Sequence, residues 1–176
     1  FYRRYPDITY RLQKEGNYLG PHSDKHLLYA DWTKRDSTLV TKDVFEKDLR
    51  ENYLAMKKSG LKIEEPRYFI PSYEWYNRQI SDWAKDLKVQ VVNFTPGTGS
   101  NADYTTPDMK CYKSSDTIYN NILRYEEKNT LNGFMLLMHI GTHPDRTDKF
   151  YNRLDDLIKN LKGKGYEFVR VDKLLE

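Results

Sequence analysis

Apolar residues fall into two alternating patterns along the chain. One recurs every three to four residues and predicts helices over residues 7–15, 41–59, 75–87, 114–128 and 147–161. Phe45, Leu49, Tyr53 and Met56 form the inward stripe of the second. Ile80, Trp83, Ala84 and Leu87 form that of the third, and Ile118, Ile122 and Tyr125 that of the fourth. Phe150, Leu154, Leu157, Ile158 and Leu161 do so in the last. Pro6 and Asp7 open the first helix, while Gly16 and Gly60 close the first and second. The other pattern is short and nearly continuous. It predicts strands over 67–70, 89–94, 133–140 and 166–171, with a brief extended piece over 17–20. Residues 95–108, rich in Gly, Pro, Thr and Asn, predict a loop. Alternation of this kind implies an α/β fold in one domain over residues 1–176, with a mostly parallel sheet and helices outside it. In such folds chemistry gathers at the C-terminal ends of the strands.

Composition narrows the class. Of the 176 residues 38% are apolar and 31% charged, a globular balance. The net charge of +3, from 29 basic and 26 acidic residues, comes without a dense basic run and argues against nucleic acid as a partner. The longest apolar stretch, Phe134-Met135-Leu136-Leu137-Met138, is far short of the roughly 18 residues of a membrane span. Cys111 stands alone, so no disulfide framework exists, and its simplest place is a half-buried core position. Fifteen tyrosines, with three Trp and seven Phe, supply core mass or flat faces for stacking on sugars or bases.

Four segments carry candidate chemistry. His22-Ser23-Asp24-Lys25-His26 puts two imidazoles at i and i+4, on one face if the segment is a helical turn, where both reach one divalent ion. The alternative is two surface histidines on a loop. His139 ends the apolar run and suits proton transfer near neutral pH, or else is a strand-end ring bonded to a backbone carbonyl. His143 is expected to be a loop residue. In Arg67-Tyr68-Phe69-Ile70-Pro71-Ser72-Tyr73-Glu74-Trp75, Pro71 fixes the backbone and leaves the Tyr73 amide available as an oxyanion donor. Trp75 is equally a stacking face or core. Asp103-Tyr104, on the long loop, orients a catalytic histidine, binds sugar hydroxyls, or is merely a turn.

Taken in order, these segments resemble the polysaccharide deacetylase family, the carbohydrate esterases with the NodB homology domain. His22-Ser23-Asp24-Lys25-His26 resembles its His-Ser/Thr-x-x-His metal motif, and residues 67–73 its Arg-x-x-Arg-Pro-Pro-Tyr groove motif. Asp103-Tyr104 resembles its Asp-Trp motif and Leu137-Met138-His139 its Leu-x-His motif. The tail with Lys162-Gly163-Lys164-Gly165-Tyr166 resembles its closing helix and strand. Ile70, Ser72 and Glu74 stand where Arg, Pro and Gly are usual.

The resemblance implies a distorted (β/α) barrel of the NodB type, N-terminally incomplete. The family's Asp-Asp strand, which supplies the base and a third metal ligand, is expected before Phe1, so the segment alone is expected to be inactive. It further implies removal of N-acetyl or O-acetyl groups from a polysaccharide or amino sugar with a divalent ion, zinc by preference, on His22 and His26. His139 is then the general acid, and the Tyr73 amide shares the oxyanion. Arg67, Pro71, Trp75, Asp103 and Tyr104 line the acetylated glycan. Because polymeric glycans lie outside the cytoplasm, an extracytoplasmic location is expected. Two other readings stay open: a non-catalytic carbohydrate-binding or scaffold module on the same fold, and a metal-dependent hydrolase of a non-sugar amide.

Overall fold

The structure, a computed structural model, describes residues 1–62 and 68–176. The chain divides into two compact units, Phe1–Asn93 with Val169–Glu176, and Phe94–Phe168.

In the first unit α1 (Pro6–Lys14) begins with proline, whose missing N–H is lost at no cost in the first turn. Helix α2 (Lys42–Lys58) is opened by the Thr41 hydroxyl, which accepts from the Val44 amide at 3.3 Å. Asp43 in its first turn and Lys57 and Lys58 in its last complement the helix dipole. Helix α3 (Arg78–Asp86) is opened in the same way by Asn77, whose side-chain oxygen accepts from the Ile80 amide at 3.1 Å. Two short strands, β1 (Tyr68–Phe69) and β2 (Gln90–Val91), pair in parallel, with Tyr68 opposite Gln90 and Phe69 opposite Val91. Phe45 and Leu49 of α2, Ile80 and Ala84 of α3, Phe69, Val89 and Tyr29 close the core. The α2 face that buries Phe45 and Leu49 also buries two polar residues, Asp48 and Asn52, which matter below.

In the second unit α4 (Ser115–Asn129) starts at Ser114, whose hydroxyl accepts from the Thr117 amide at 3.1 Å. Its Ile118 and Ile122 pack with Leu131, Phe150, and Leu157 and Leu161 of α5 (Leu154–Gly163). Arg146 is fully buried, and its guanidinium donates to the carbonyls of Thr105 at 2.6 Å and Lys113 at 3.0 Å. It therefore clips the two ends of the 105–113 loop with donors that backbone carbonyls would otherwise lack. A last short helix, α6 (Val171–Leu174), belongs to the first unit.

Several predicted elements are corrected. Residues 133–140 form no strand, although Phe134, Leu136 and Met138 alternate inward as an extended segment does. A strand needs a ladder, and among the described residues this segment shows only scattered main-chain bonds, such as the Thr95 amide donating to the Met135 carbonyl at 2.9 Å. Residues 166–171 likewise form no strand. Phe168 and Val169 are exposed, and the chain turns helical at Val171. The predicted helix from 75 begins at Arg78, because Asn77 is the better cap. Cys111 is exposed, not half-buried. Among the described residues no helix is long and apolar enough to cross a membrane.

Candidate functional site

The histidine pair is brought together, but not by a helical turn. Residues 22–26 form an irregular loop in which Ser23 and His26 have φ of 75° and 53°, in the left-handed region that non-glycine residues rarely enter. What holds the loop is α2. The Asp48 carboxylate, buried, accepts from the Ser23 hydroxyl at 2.6 Å, the Lys25 amide at 2.9 Å, the Asp24 amide at 3.2 Å and the Tyr29 hydroxyl at 2.6 Å. One turn on, the Asn52 side chain accepts from the His22 amide at 2.9 Å. A carboxylate that collects four donors in a buried place fixes the loop against its own backbone preference. Burial, reinforced by this bond to Asp48, drives the Tyr29 hydroxyl well above the usual tyrosine range.

The two rings then lie with centroids 5.2 Å apart. Rings bound through nitrogen to one tetrahedral ion at about 2.0–2.1 Å have centroids on the order of 5 Å apart, so the spacing fits a shared zinc. The tautomer fits too. His22 Nδ1 is 2.9 Å from the Ile70 carbonyl, which can only accept, so Nδ1 carries the proton and Nε2 presents its lone pair. Glu74 Oε1 stands 4.0 Å from that Nε2, adding negative charge beside it. Among the described residues no group of three His, Cys, Asp or Glu side chains converges as a complete cage.

Beside the pair runs the 71–75 segment. Pro71 is extended (φ −62°, ψ 150°), and the 3₁₀ turn Ser72–Glu74 follows with Tyr73 at φ 61° and Glu74 at φ 53°. The Ser72 hydroxyl, which stands where the resemblance leads one to expect proline, bonds the Leu27 carbonyl and so ties this turn to the chain just after His26. The Tyr73 ring meets His26 edge-on at 4.4 Å, and Trp75 lies against Trp32 at 5.5 Å. Arg67 lies outside the described residues. Two clefts of this unit, of about 450 and 480 Å³, lie beside Asp36, Asn77 and Arg78, and His22 and His26 are themselves exposed, so the pair sits on an open shelf.

In the second unit Asp103, Tyr104 and His139 come together. The buried Asp103 carboxylate takes the His139 amide on one oxygen and His139 Nδ1 on the other, both at 2.6 Å, while the Tyr104 ring packs edge-on at 5.5 Å. Nδ1 facing a carboxylate carries a proton, which fixes the orientation of the ring. The exposed His143 turns back on its own loop, accepting from the Asp145 amide at 3.3 Å.

Sequence reasoning missed Asp48, Asn52, Trp32 and Arg35. The first two carry a faint signal, polar residues at i and i+4 on the buried stripe of a helix. The other two lie between predicted elements.

Residues 1–92 match the model of the family described as polysaccharide deacetylase. The chain belongs to that family. The match contains every expected site residue of the first unit and none of the second. Peptidoglycan-N-acetylglucosamine deacetylase of Bacillus cereus is 24% identical over 173 residues, 98% of this chain and 54% of that protein. The chain thus spans about half the length of this curated relative. Among solved structures, peptidoglycan deacetylase PdaC from Bacillus subtilis superposes with a TM-score of 0.69 at 22% identity, over 97% of this chain and 69% of that one. A CE4 family pseudoenzyme from Bacillus anthracis superposes with a TM-score of 0.67 at 16% identity, over 98% and 51%. A mutant of that pseudoenzyme has restored enzymatic activity. These likenesses establish the NodB-type deacetylase fold over the part the chain spans.

Proposed function

We propose that the protein containing this chain is a metal-dependent deacetylase that removes N-acetyl or O-acetyl groups from a polysaccharide or amino sugar. The observation that carries this reading is the histidine pair, with its 5.2 Å spacing and its His22 tautomer set by Ile70. His22 and His26 would hold a divalent ion, zinc by preference for two imidazoles. When bound, the ion supplies Lewis-acid polarisation of the acyl oxygen and an acidified water.

The chain's own residues do the rest. Asp48 and Asn52 hold the histidine loop so that both rings are aimed before any ligand arrives, and Glu74 adds a negative wall beside His22. Tyr73 presents its ring edge to His26 and its amide as a donor for the developing oxyanion. His139, its ring oriented through Nδ1 by Asp103, would be the general acid that the family resemblance implies. A polymeric glycan substrate would put the protein outside the cytoplasm.

The test is acetate release by the full-length protein from acetylated glycan oligomers, with chelator and then added zinc. Release that stops with chelator and returns with zinc supports the reading; release indifferent to both sinks it. A second reading, a non-catalytic glycan-binding module, is favoured by Ile70 and Ser72 in the groove motif and by the likeness to a pseudoenzyme. Glycan binding that survives chelation and His139→Ala, without any acetate release, distinguishes it.

A further inference from the structure

Between the histidine loop and α2 the chain makes a hairpin that no catalytic role uses. Ala30 bridges Thr38 in antiparallel fashion, the Asp31 amide donates to the Ser37 carbonyl at 2.9 Å, and the Leu39 amide to the Tyr29 carbonyl at 2.9 Å. At its tip one oxygen of the Asp31 carboxylate accepts from the Thr33 amide and hydroxyl, both at 2.8 Å, and from the Lys34 amide at 2.7 Å. These bonds hold the Asp31 carboxyl below the usual range, the Lys34 amide contributing most. The turn is thereby stiff in a stretch fully open to water.

What the stiff turn holds out is Trp32, 54% exposed although it is the most apolar side chain nearby. Its mounting is built in layers. Trp75 lies behind it at 5.5 Å and an interplanar angle of 31°, pinned by its ring N–H donating to the Asp31 carbonyl at 3.1 Å. The Arg35 guanidinium stands 4.3 Å from the Trp75 ring centroid and is itself fixed by Nε donating to the Tyr76 carbonyl at 2.8 Å. Tyr73, 44% exposed, meets Trp32 at 5.6 Å and 78°. Two open rings at nearly a right angle make a corner, and the second wall of that corner is the ring that touches His26.

We propose that Trp32 and Tyr73 form a second sugar subsite, a stacking corner for the pyranose ring next to the one processed at the histidine pair. This rests on the glycan reading above. The C–H face of a pyranose matches an indole face, and its hydroxyls find the Tyr73 hydroxyl at the rim. A glycan chain is the occupant the geometry favours, because the corner is continuous with the histidine shelf through Tyr73. It is also small and polar-rimmed, unlike the broad apolar core of a stable protein interface. Rigid mounting lowers the ordering loss on binding, which gives the otherwise unexplained stiffness a purpose.

The test uses the full-length protein in chelator, so that no turnover interferes, with N-acetylglucosamine oligomers of one to five residues followed by calorimetry and tryptophan fluorescence. Affinity should rise with oligomer length in the native protein. Trp32→Ala should weaken the longer oligomers about 5- to 10-fold and leave the monosaccharide unchanged, as loss of one stacked ring predicts. Trp32→Phe should retain part of the gain. Trp32→Leu covers the case in which the alanine variant fails to fold: it keeps apolar cover without a flat face and should lose the gain. Long oligomers held by folded Trp32→Leu or Trp32→Ala as tightly as by the native protein would overturn the subsite while leaving the deacetylase reading intact. No oligomer bound by the native protein in chelator would overturn the subsite, while acetate release with zinc restored decides the deacetylase reading separately. Self-association abolished by Trp32→Ala with glycan binding unaltered would reassign the corner to a second copy of the chain.

Discussion

At the residue scale, the site depends on a side chain that does not belong to it. Asp48 collects four donors from residues 23, 24, 25 and 29, and through them holds two left-handed residues in place. Asp48→Ala leaves the buried Tyr29 hydroxyl and two loop amides without their acceptor. Its unfolding free energy in urea should fall by about 2–3 kcal/mol. Zinc affinity should drop about 10- to 100-fold, the range seen when an orienting partner of a ligand is lost. A variant that lost stability but bound zinc as tightly as the native protein would restrict Asp48 to folding. His139 allows a matching prediction for catalysis. His139→Ala should lower kcat of the full-length protein about 10²- to 10⁴-fold. Asp103→Asn, which removes the carboxylate that holds both ring and amide, should follow it closely. Of these residues the histidines and Asp103 were legible in the sequence, since each sits within a short motif. Asp48 was not, because its bonds reach 19 to 25 residues back along the chain, and no local pattern distinguishes it from a solvated helix face.

At the scale of elements, helices were legible and strands only in part, β1 and β2 falling inside the predicted runs 67–70 and 89–94 while the two later runs form none, for one physical reason. A helix satisfies its backbone within itself, so the spacing of Ile118 and Ile122 and a serine just ahead suffice to place α4 to within a residue. A strand exists only with its neighbour. The run 133–140 shows the inward alternation of Phe134, Leu136 and Met138 without a ladder, and the 166–171 run shows exposed Phe168 and Val169. The histidine loop is the same lesson in a smaller segment. An i, i+4 pair brings rings together on a helix, yet here a loop folded onto α2 achieves the approach. The helical contributions are measurable. Leu157 is buried between α4 and α5, so Leu157→Ala should cost about 2–5 kcal/mol in chemical unfolding. Thr41→Ala, which removes the α2 cap, should cost about 1 kcal/mol. A capping loss as large as the core loss would mean that the Thr41 hydroxyl does more than open the helix.

At the scale of the whole molecule, the family was legible from motifs in the part of the chain that the family model matches, and the electrostatics was not. Net charge is only +3 at pH 7, which predicts little self-repulsion near neutrality. Stability should nonetheless fall at both ends, because the folded chain shifts particular groups. Partial burial pushes the Asp148 carboxyl up, but bonds from the Ser115 amide and side chain, the Arg146 charge and the Tyr112 hydroxyl together hold it below the usual range. A carboxyl lowered in the folded state stabilises above its unfolded pKa of about 3.9, and that contribution disappears as pH falls through the folded value. Asp31, Asp108, Glu126 and Asp172 shift in the same direction, so the acid arm is shared. The alkaline arm has the opposite sign. Burial, with a smaller contribution from Tyr18, raises Tyr2 to about 12, and Tyr29 and Tyr53 are raised also. A group raised in the folded state stabilises below its unfolded pKa, about 10 for tyrosine, and the contribution is lost as pH climbs past it. Melting temperature should therefore be flat from about pH 5 to 9 and decline on both sides. Asp148→Asn should soften only the acid decline. Tyr53→Phe, which removes one partly buried hydroxyl that ionises on unfolding above about pH 10, should soften only the alkaline one. A Tyr53→Phe curve that still fell as steeply as the native protein above pH 10 would show that this hydroxyl titrates alike in both states.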